Sequence, residues 1–272
     1  MFSLDDLKEL EELTQSIGQE FLMPYFQNVS ASYKSDGSIV TDADLVLQRE
    51  LSHELAKRWE NFPILGEEME VEDQEALVNS SDNGLWIIDP LDGTNNFAAG
   101  IPFFCISISL VKKDEVIAGV VYDPIRREIF SALKGKGAWL NKEPLLIAAN
   151  NAAFSLQEAI AIVDLKRLPN NIREYLVRKT PFRSHRSFGA VALDWCWMAS
   201  GRAQLYLHGG QKLWDYAAGS LIFFEAGGIG GLFLNYTREN NNNIDLSPRI
   251  AIAASSKNLF EKWLRVLEEA SN

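Results

Sequence analysis

The sequence predicts a mixed chain, α+β in its first half and α/β in its second. Three observations carry this. Two helical stretches at the N-terminus are followed by a run of neighbouring strands. After about residue 150 strands and helices alternate. A length of 272 residues with 47% hydrophobic residues supports a large buried core and excludes a disordered chain.

From Leu4 to Phe26, the residues Leu7, Leu10, Leu13, Ile17, Phe21 and Leu22 recur at helical spacing, with Pro24 near the end. A second helix is expected from about Asp42 to Trp59, capped by Thr41 or Asp42. The polar stretch SYKSDGSIVT between them reads as a turn or mobile loop. FPILG and GLWIIDP are strand candidates. CISISLVKKDEVIAGVVYDP reads as two strands joined by a charged turn at Lys112 to Glu115, and EIFSALKGKGAWLN as a strand with a Gly-rich turn. These neighbouring strands favour an antiparallel-leaning sheet.

In the second half EAIAIVD, AQLYLHG and IAIAAS read as strands, and FRSHRSF as a short strand or entry loop. NIREYLVRK, AVALDWCWMASG and YAAGSLIFFEAGG read as helices, the last closed by Gly227 and Gly228. A final helix runs from about Lys257 to Glu269. RENNNNIDLSP is a surface loop. A soft boundary near Leu146 to Ser155 divides residues 1–146 from 147–272, within one compact unit.

A formal net charge of -11 argues against nucleic acid or an anionic membrane as partner. No apolar run is long enough to span a bilayer. The opening MFSLDDLKEL lacks the basic head and apolar stretch of a secretory signal, so the cytoplasm is expected. Cys105 and Cys196 sit in apolar runs and read as buried reduced thiols.

Three segments concentrate acidic groups. Gly66-Glu67-Glu68 follows a strand candidate. Trp86-Ile87-Ile88-Asp89-Pro90-Leu91-Asp92-Gly93-Thr94 is an apolar strand ending in two aspartates. Lys212-Leu213-Trp214-Asp215 immediately precedes a helix. Asp89 and Asp92 are close enough to repel unless a cation sits between them. Hard carboxylate oxygens favour Mg²⁺ or Mn²⁺, admit Ca²⁺ and disfavour soft metals. Backbone N–H groups around Asp92-Gly93-Thr94 suit a phosphate. Taken singly, each segment also has a plain structural reading: a turn, a solvated acidic pair, a helix N-cap. Spacing alone does not bring the three together.

Taken together, the residues resemble the inositol monophosphatase family. WIIDPLDGTNNF (86–97) is similar to its WxxDPxDGTxNF block. Trp214-Asp215-Tyr216-Ala217-Ala218-Gly219 with Glu225-Ala226-Gly227-Gly228 is similar to its WDxAAG and EAGG elements. Glu67-Glu68, IVTDAD ending in Asp44, GVVYDP and KGKGAWLN also match. The resemblance implies a layered αβαβα sandwich and Mg²⁺-dependent, lithium-sensitive hydrolysis of a small phosphate monoester, with two to three ions.

It further implies that Glu67, Asp89 and the Leu91 carbonyl hold one Mg²⁺, and that Asp89, Asp92 and Asp215 hold a second. Gly93 and Thr94 amides would hold the phosphate. Thr94 and Asp44 would orient and deprotonate water, with Glu67 reaching a weaker third ion. Glu68 would stand behind these ligands, and Lys34 would lie on a loop closing over them. The implied partners are a phosphorylated polyol, sugar or nucleotide and a second copy of the chain, with Arg186 near the subunit contact. Inositol monophosphate, fructose 1,6-bisphosphate, histidinol phosphate and 3′-phosphoadenosine nucleotides are all open as substrates. A non-catalytic binding protein on the same scaffold is a competing reading, as is a nuclease. The match departs at His208, where inositol-specific relatives carry an acidic residue. His208 is expected to receive a polyol, contact a phosphate or fill the rim. His53 and His185 read as structural or surface residues, and Trp195 and Trp197 as core or dimer packing.

Overall fold

The computed structural model describes residues 2–26, 31–33, 39–79, 83–147, 154–236 and 244–271. Helix α1 (Leu4–Ile17) starts at a capping box: the Ser3 hydroxyl accepts the Asp6 N–H at 3.2 Å, and Asp6 accepts the Ser3 N–H at 2.7 Å. It buries Leu7, Leu10, Leu13 and Ile17, the predicted stripe, then widens into a π turn over Gly18–Leu22. Strands β1 (Ala31–Tyr33) and β2 (Ile39–Thr41) pair antiparallel. Helix α2 (Asp42–Arg58) follows, with Thr41 at its N-cap. Lys34 lies outside the described residues.

A seven-stranded sheet holds β3 (Ile64–Gly66), β4 (Leu85–Asp92), β5 (Cys105–Lys112), β6 (Glu115–Asp123), β7 (Glu128–Leu133), β8 (Gly137–Leu140) and β9 (Glu143–Leu145) in sequence order. Only β3 and β4 are parallel; the other pairs are antiparallel. The β5–β6 turn has Lys113 and Asp114 at φ 51° and 59°, the doubly left-handed geometry of a tight hairpin. A parallel pair needs a crossover. Helix α3 (Val71–Asn79) supplies it, an element the sequence reading did not assign.

The second sheet has the order β11-β10-β12-β14-β13, built from β10 (Ile160–Asp164), β11 (Ser184–Arg186), β12 (Leu205–Gln211), β13 (Ile229–Phe233) and β14 (Arg249–Ala254). β11, β10 and β12 are parallel; β14 runs against β12 and β13. Helices α5 (Asn170–Lys179), α6 (Val191–Ala199), α7 (Leu213–Glu225) and α8 (Lys257–Ser271) connect and cover these strands, after the single-turn α4 (Thr94–Ala98) of the first half. β13 was not anticipated, because IGGLF carries two glycines and little strand signal.

Strand alternation sorts the side chains into layers. Val120, Trp86 and Ile108 face Leu10 and Leu47 of α1 and α2. Val121, Phe130 and Ala132, on the opposite face, meet Trp195 and Ala218 of α6 and α7, which also cover Tyr206 and Ala253 of the smaller sheet. The outer face of that sheet packs Leu205 and Ile252 against Ile172 of α5 and Trp263 of α8. The order is helix, sheet, helix, sheet, helix: the expected αβαβα sandwich. Both sheets are covered on both faces, so their strands read as continuous apolar runs.

Helices α6 and α7 of the second half lie on the sheet of the first, so the halves share a core. Residues 148–153, within the expected boundary, are outside the described set. The seam is braced by Trp197, flanked by the guanidiniums of Arg126 and Arg202 at 5.2 and 5.1 Å. Trp195 is fully buried. Both cysteines are buried thiols. His53 and His185 are exposed. Among the described residues no helix is long and apolar enough to cross a membrane.

Candidate active site

The site forms where β4 ends. Asp89 pairs across to Ser107 and Asp92 to Cys105, and the ladder is irregular between them. Pro90 has no N–H to offer it there. The Leu91 N–H turns back to Asp89 Oδ1 at 3.0 Å, fixing one carboxylate oxygen. Both aspartates are almost fully buried.

Asp92 is held from the other half of the chain. Its Oδ1 and Oδ2 accept the Val191 and Ala192 N–H groups at 3.1 and 2.6 Å, and the Cys105 thiol donates to Oδ2 at 3.6 Å. These amides open α6, where backbone donors have no partner within the helix. Gly93 then adopts φ 94°. A side chain there would be strained, and its Cβ would come within 3.0 Å of the Phe103 carbonyl oxygen.

Thr94 begins α4. Its Oγ lies 3.2 Å from Asp44 Oδ1 and 3.0 Å from the Leu91 carbonyl oxygen, both possible acceptors of its one proton. Asp44 Oδ2 accepts the Thr41 N–H at 2.8 Å and the Thr41 hydroxyl at 2.5 Å. Asp44 is thus both the third residue of its helix and the partner of Thr94.

Glu67 follows β3. Its N–H extends the parallel ladder to the Ile88 carbonyl at 3.3 Å. The Gln74 amide of α3 donates to the Gly66 and Glu67 carbonyls at 2.9 and 3.2 Å, pinning this turn. Glu67 and Glu68 are half-buried. The sequence reading placed Asp215 just before a helix. Helix α7 instead starts at Leu213, so Asp215 lies in its first turn and accepts the Lys212 N–H at 2.9 Å.

Electrostatics ties these residues together. Burial pushes Asp89 well above the usual carboxylate range, and Glu67, Asp92, Asp215 and Asp44 push it further. Asp92 is pushed up to about 7 by burial, against the pull of the two α6 amides. Asp215 is pushed up to about 7 by burial and by Asp92. Asp44 rises to about 6 through burial, with Glu68 adding to it. Asp89 and the four carboxylates that act on it, Glu67, Asp92, Asp215 and Asp44, therefore share one field. They do not yet share a coordination sphere: among the described residues no three His, Cys, Asp or Glu groups could together hold a metal ion. Asp92 and Asp89 are turned toward backbone N–H groups, which relieves their mutual repulsion.

His208 is buried, at 3% exposure. Its Nδ1 accepts the Gly210 N–H at 3.3 Å, and its Nε2 lies 3.3 Å from Asp164 Oδ2. Both ring nitrogens are engaged within the protein. Sequence reasoning missed Gln74, Asp164 and the α6 amides, none of which carries a motif.

The sequence profile of the Inositol monophosphatase family matches residues 4–272. Inositol monophosphatase 1 of Solanum lycopersicum is 32% identical, over 87% of this chain and 85% of its own length. Inositol-1-monophosphatase of Caulobacter vibrioides is 33% identical, over 89% and 92%. The Nus factor SuhB of Xylella fastidiosa is 34% identical, over 72% and 69%. The solved structure of a Thermotoga maritima IMPase superposes with a TM-score of 0.81 at 28% identity, covering 98% of each chain. By sequence across its length, and by fold, the chain belongs to the inositol monophosphatase family.

Proposed function

We propose that this phosphatase hydrolyses a small phosphorylated polyol, sugar or nucleotide, inositol monophosphate foremost, with Mg²⁺ as cofactor. The observation that carries this is the like-charged cluster of buried Asp89 and Asp92 with half-buried Glu67 and Asp215, beside the Thr94–Asp44 pair. The donor set fits the ion: it is all oxygen, the type Mg²⁺ prefers. The charges acting most strongly on Asp89 are all carboxylates, and a cation would relieve them. Glu67, Asp89, the Leu91 carbonyl, Asp92 and Asp215 would hold two to three ions, after Asp92 and Asp89 rotate from their present partners.

A divalent cation bound there supplies Lewis acidity, neutralising phosphoryl charge and making water a better nucleophile. The chain does the rest. Gly93 and Thr94 present N–H groups at the start of α4 to the phosphoryl oxygens. Thr94 Oγ accepts a proton from the attacking water while passing its own to Asp44 Oδ1. Asp44, raised to about 6, is mostly ionised at neutral pH and close enough to the operating range to take it. Glu68 keeps that basicity high from behind. Lys34 as a closing-loop residue, lithium inhibition, a homodimer and a cytoplasmic location complete the reading.

The test is phosphate release from inositol 1-phosphate, fructose 1,6-bisphosphate, histidinol phosphate and 3′-phosphoadenosine 5′-phosphate, with and without Mg²⁺. Turnover should require Mg²⁺ and fall by at least about 100-fold in Asp89→Asn. Full-rate turnover by that variant, or Mg²⁺-independent turnover, would refute the proposal.

A further inference from the structure

The second half of the chain brings two helix starts to the site, α6 to hold Asp92 and α7 to carry Asp215. A buried hydrogen-bonded chain outside the acidic motifs joins them. Gln211 ends β12 and is fully buried. Trp195 Nε1 of α6 donates to its Oε1 at 3.1 Å, and its Nε2 donates to the Tyr206 hydroxyl at 2.6 Å. An indole N–H can only donate, so the direction of the amide is fixed. Trp195 and Tyr206 meet edge to face, with ring centroids 4.8 Å apart, in an otherwise apolar cluster with Ala218 and Phe223. Leucine or methionine would fill the place of Gln211 with no polar atom to satisfy. A buried amide whose partners are all in place selects one arrangement of its neighbours instead.

The neighbours it arranges are the two helix starts. Trp195 lies one turn along α6 from Val191 and Ala192, whose N–H groups hold both oxygens of Asp92. Gln211 lies four residues before Asp215, which sits in the first turn of α7. Just upstream of Gln211 the strand ladder gives little guidance, because the β12–β14 register shifts between His208 and Gln211. From the other side, Ser107 Oγ, opposite Asp89 in β5, donates to the Trp214 carbonyl at 3.3 Å. Further along, the helices are pressed together: a Cβ on Gly219 of α7 would lie 2.9 Å from the Ala192 carbonyl oxygen and 2.8 Å from Trp195 Cβ. The Gly219 contact sets how near α7 comes to α6. The Trp195–Gln211 bond sets where α7 begins.

We propose that Gln211 is a positioning residue: through Trp195 it fixes the spacing between Asp92 and Asp215, so that the two carboxylates can meet one divalent cation. This rests on the phosphatase reading above and adds a determinant of cation affinity outside the ligand set.

The experiment compares wild type with Gln211→Met, Trp195→Phe and the double variant. Methionine keeps the length of the side chain and removes both hydrogen bonds; phenylalanine removes only the indole donor. In crystal structures without cation, the separation of the Asp92 and Asp215 carboxylates should change by more than about 0.5 Å in Gln211→Met. By calorimetry, its Kd for Mg²⁺ should rise about 10-fold or more. The double variant should bind Mg²⁺ no more than about twofold more weakly than the weaker single variant, since both substitutions break one bond. A purely structural role predicts a lower melting temperature with separation and affinity unchanged; either of these unchanged in a folded Gln211→Met protein, or additive losses in the double variant, overturns the inference while leaving the phosphatase assignment standing. If Gln211→Met does not fold, Trp195→Phe answers the same two questions. If wild type neither binds Mg²⁺ nor releases phosphate, the phosphatase reading fails, and the carboxylate separation alone decides this one.

Discussion

Replacing Asp215 with asparagine should stabilise the cation-free protein, and the gain should grow with pH. Asp215 is pushed from an ordinary 3.8 up to about 7 by burial and the neighbouring Asp92. The folded chain therefore keeps a proton that the unfolded chain releases. For a carboxylate raised in this way, stability is full below the unfolded value and falls as pH climbs through the folded one. At about 1.4 kcal/mol per pH unit, the penalty is about 2 kcal/mol at pH 5 and about 4 kcal/mol at pH 8. Asparagine escapes it while retaining an oxygen for the Lys212 N–H. At about 2 °C per kcal/mol for a chain of this size, Asp215→Asn should melt about 4 °C above wild type at pH 5 and about 8 °C above it at pH 8 in EDTA. Using the difference between the two proteins cancels the titrations that Asp215 does not act on, such as that of His208, which burial lowers to about 4. Mg²⁺ at pH 8 should then raise the melting temperature of wild type more than that of the variant. A difference that is constant with pH, or a variant less stable than wild type at pH 8, would refute the electrostatic account of the cluster.

Two further outcomes follow from the same geometry. Gly93→Ala forces a side chain onto φ 94° and against the Phe103 carbonyl, so it should cost about 1–3 kcal/mol in denaturant titration and weaken phosphate inhibition. Gln74→Leu removes the amide that pins the Gly66 and Glu67 carbonyls; the Mg²⁺ concentration for half-maximal activity should rise about 10-fold or more, with kcat at saturating Mg²⁺ little changed.

The layers of the fold were legible because their signals are local. The α1 stripe, the paired strands around Lys113 and Asp114, and the glycine-terminated helices each announce themselves over a dozen residues. α3 and β13 were not: one is a short polar crossover, the other a strand weakened by two glycines. At the site, Asp89, Asp92 and Asp215 stood out by motif, and the fold gathers them into one field. What the motifs leave silent is orientation. That Asp92 faces two amides of α6, 99 and 100 residues away in sequence, depends on how the halves dock. His208 shows the same limit from the other side. The resemblance makes its position a substrate-facing one, yet whether its ring points out or in depends on Asp164 of the adjacent strand and on Gly210.

The grip of α6 on Asp92 has a bearing on turnover. Helix amides lend the carboxylate fractional positive charge, roughly half an elementary charge at a helix start. That pull offsets part of the burial that raises Asp92. Under the proposed Mg²⁺ chemistry, this grip would return Asp92 to one fixed position between cycles.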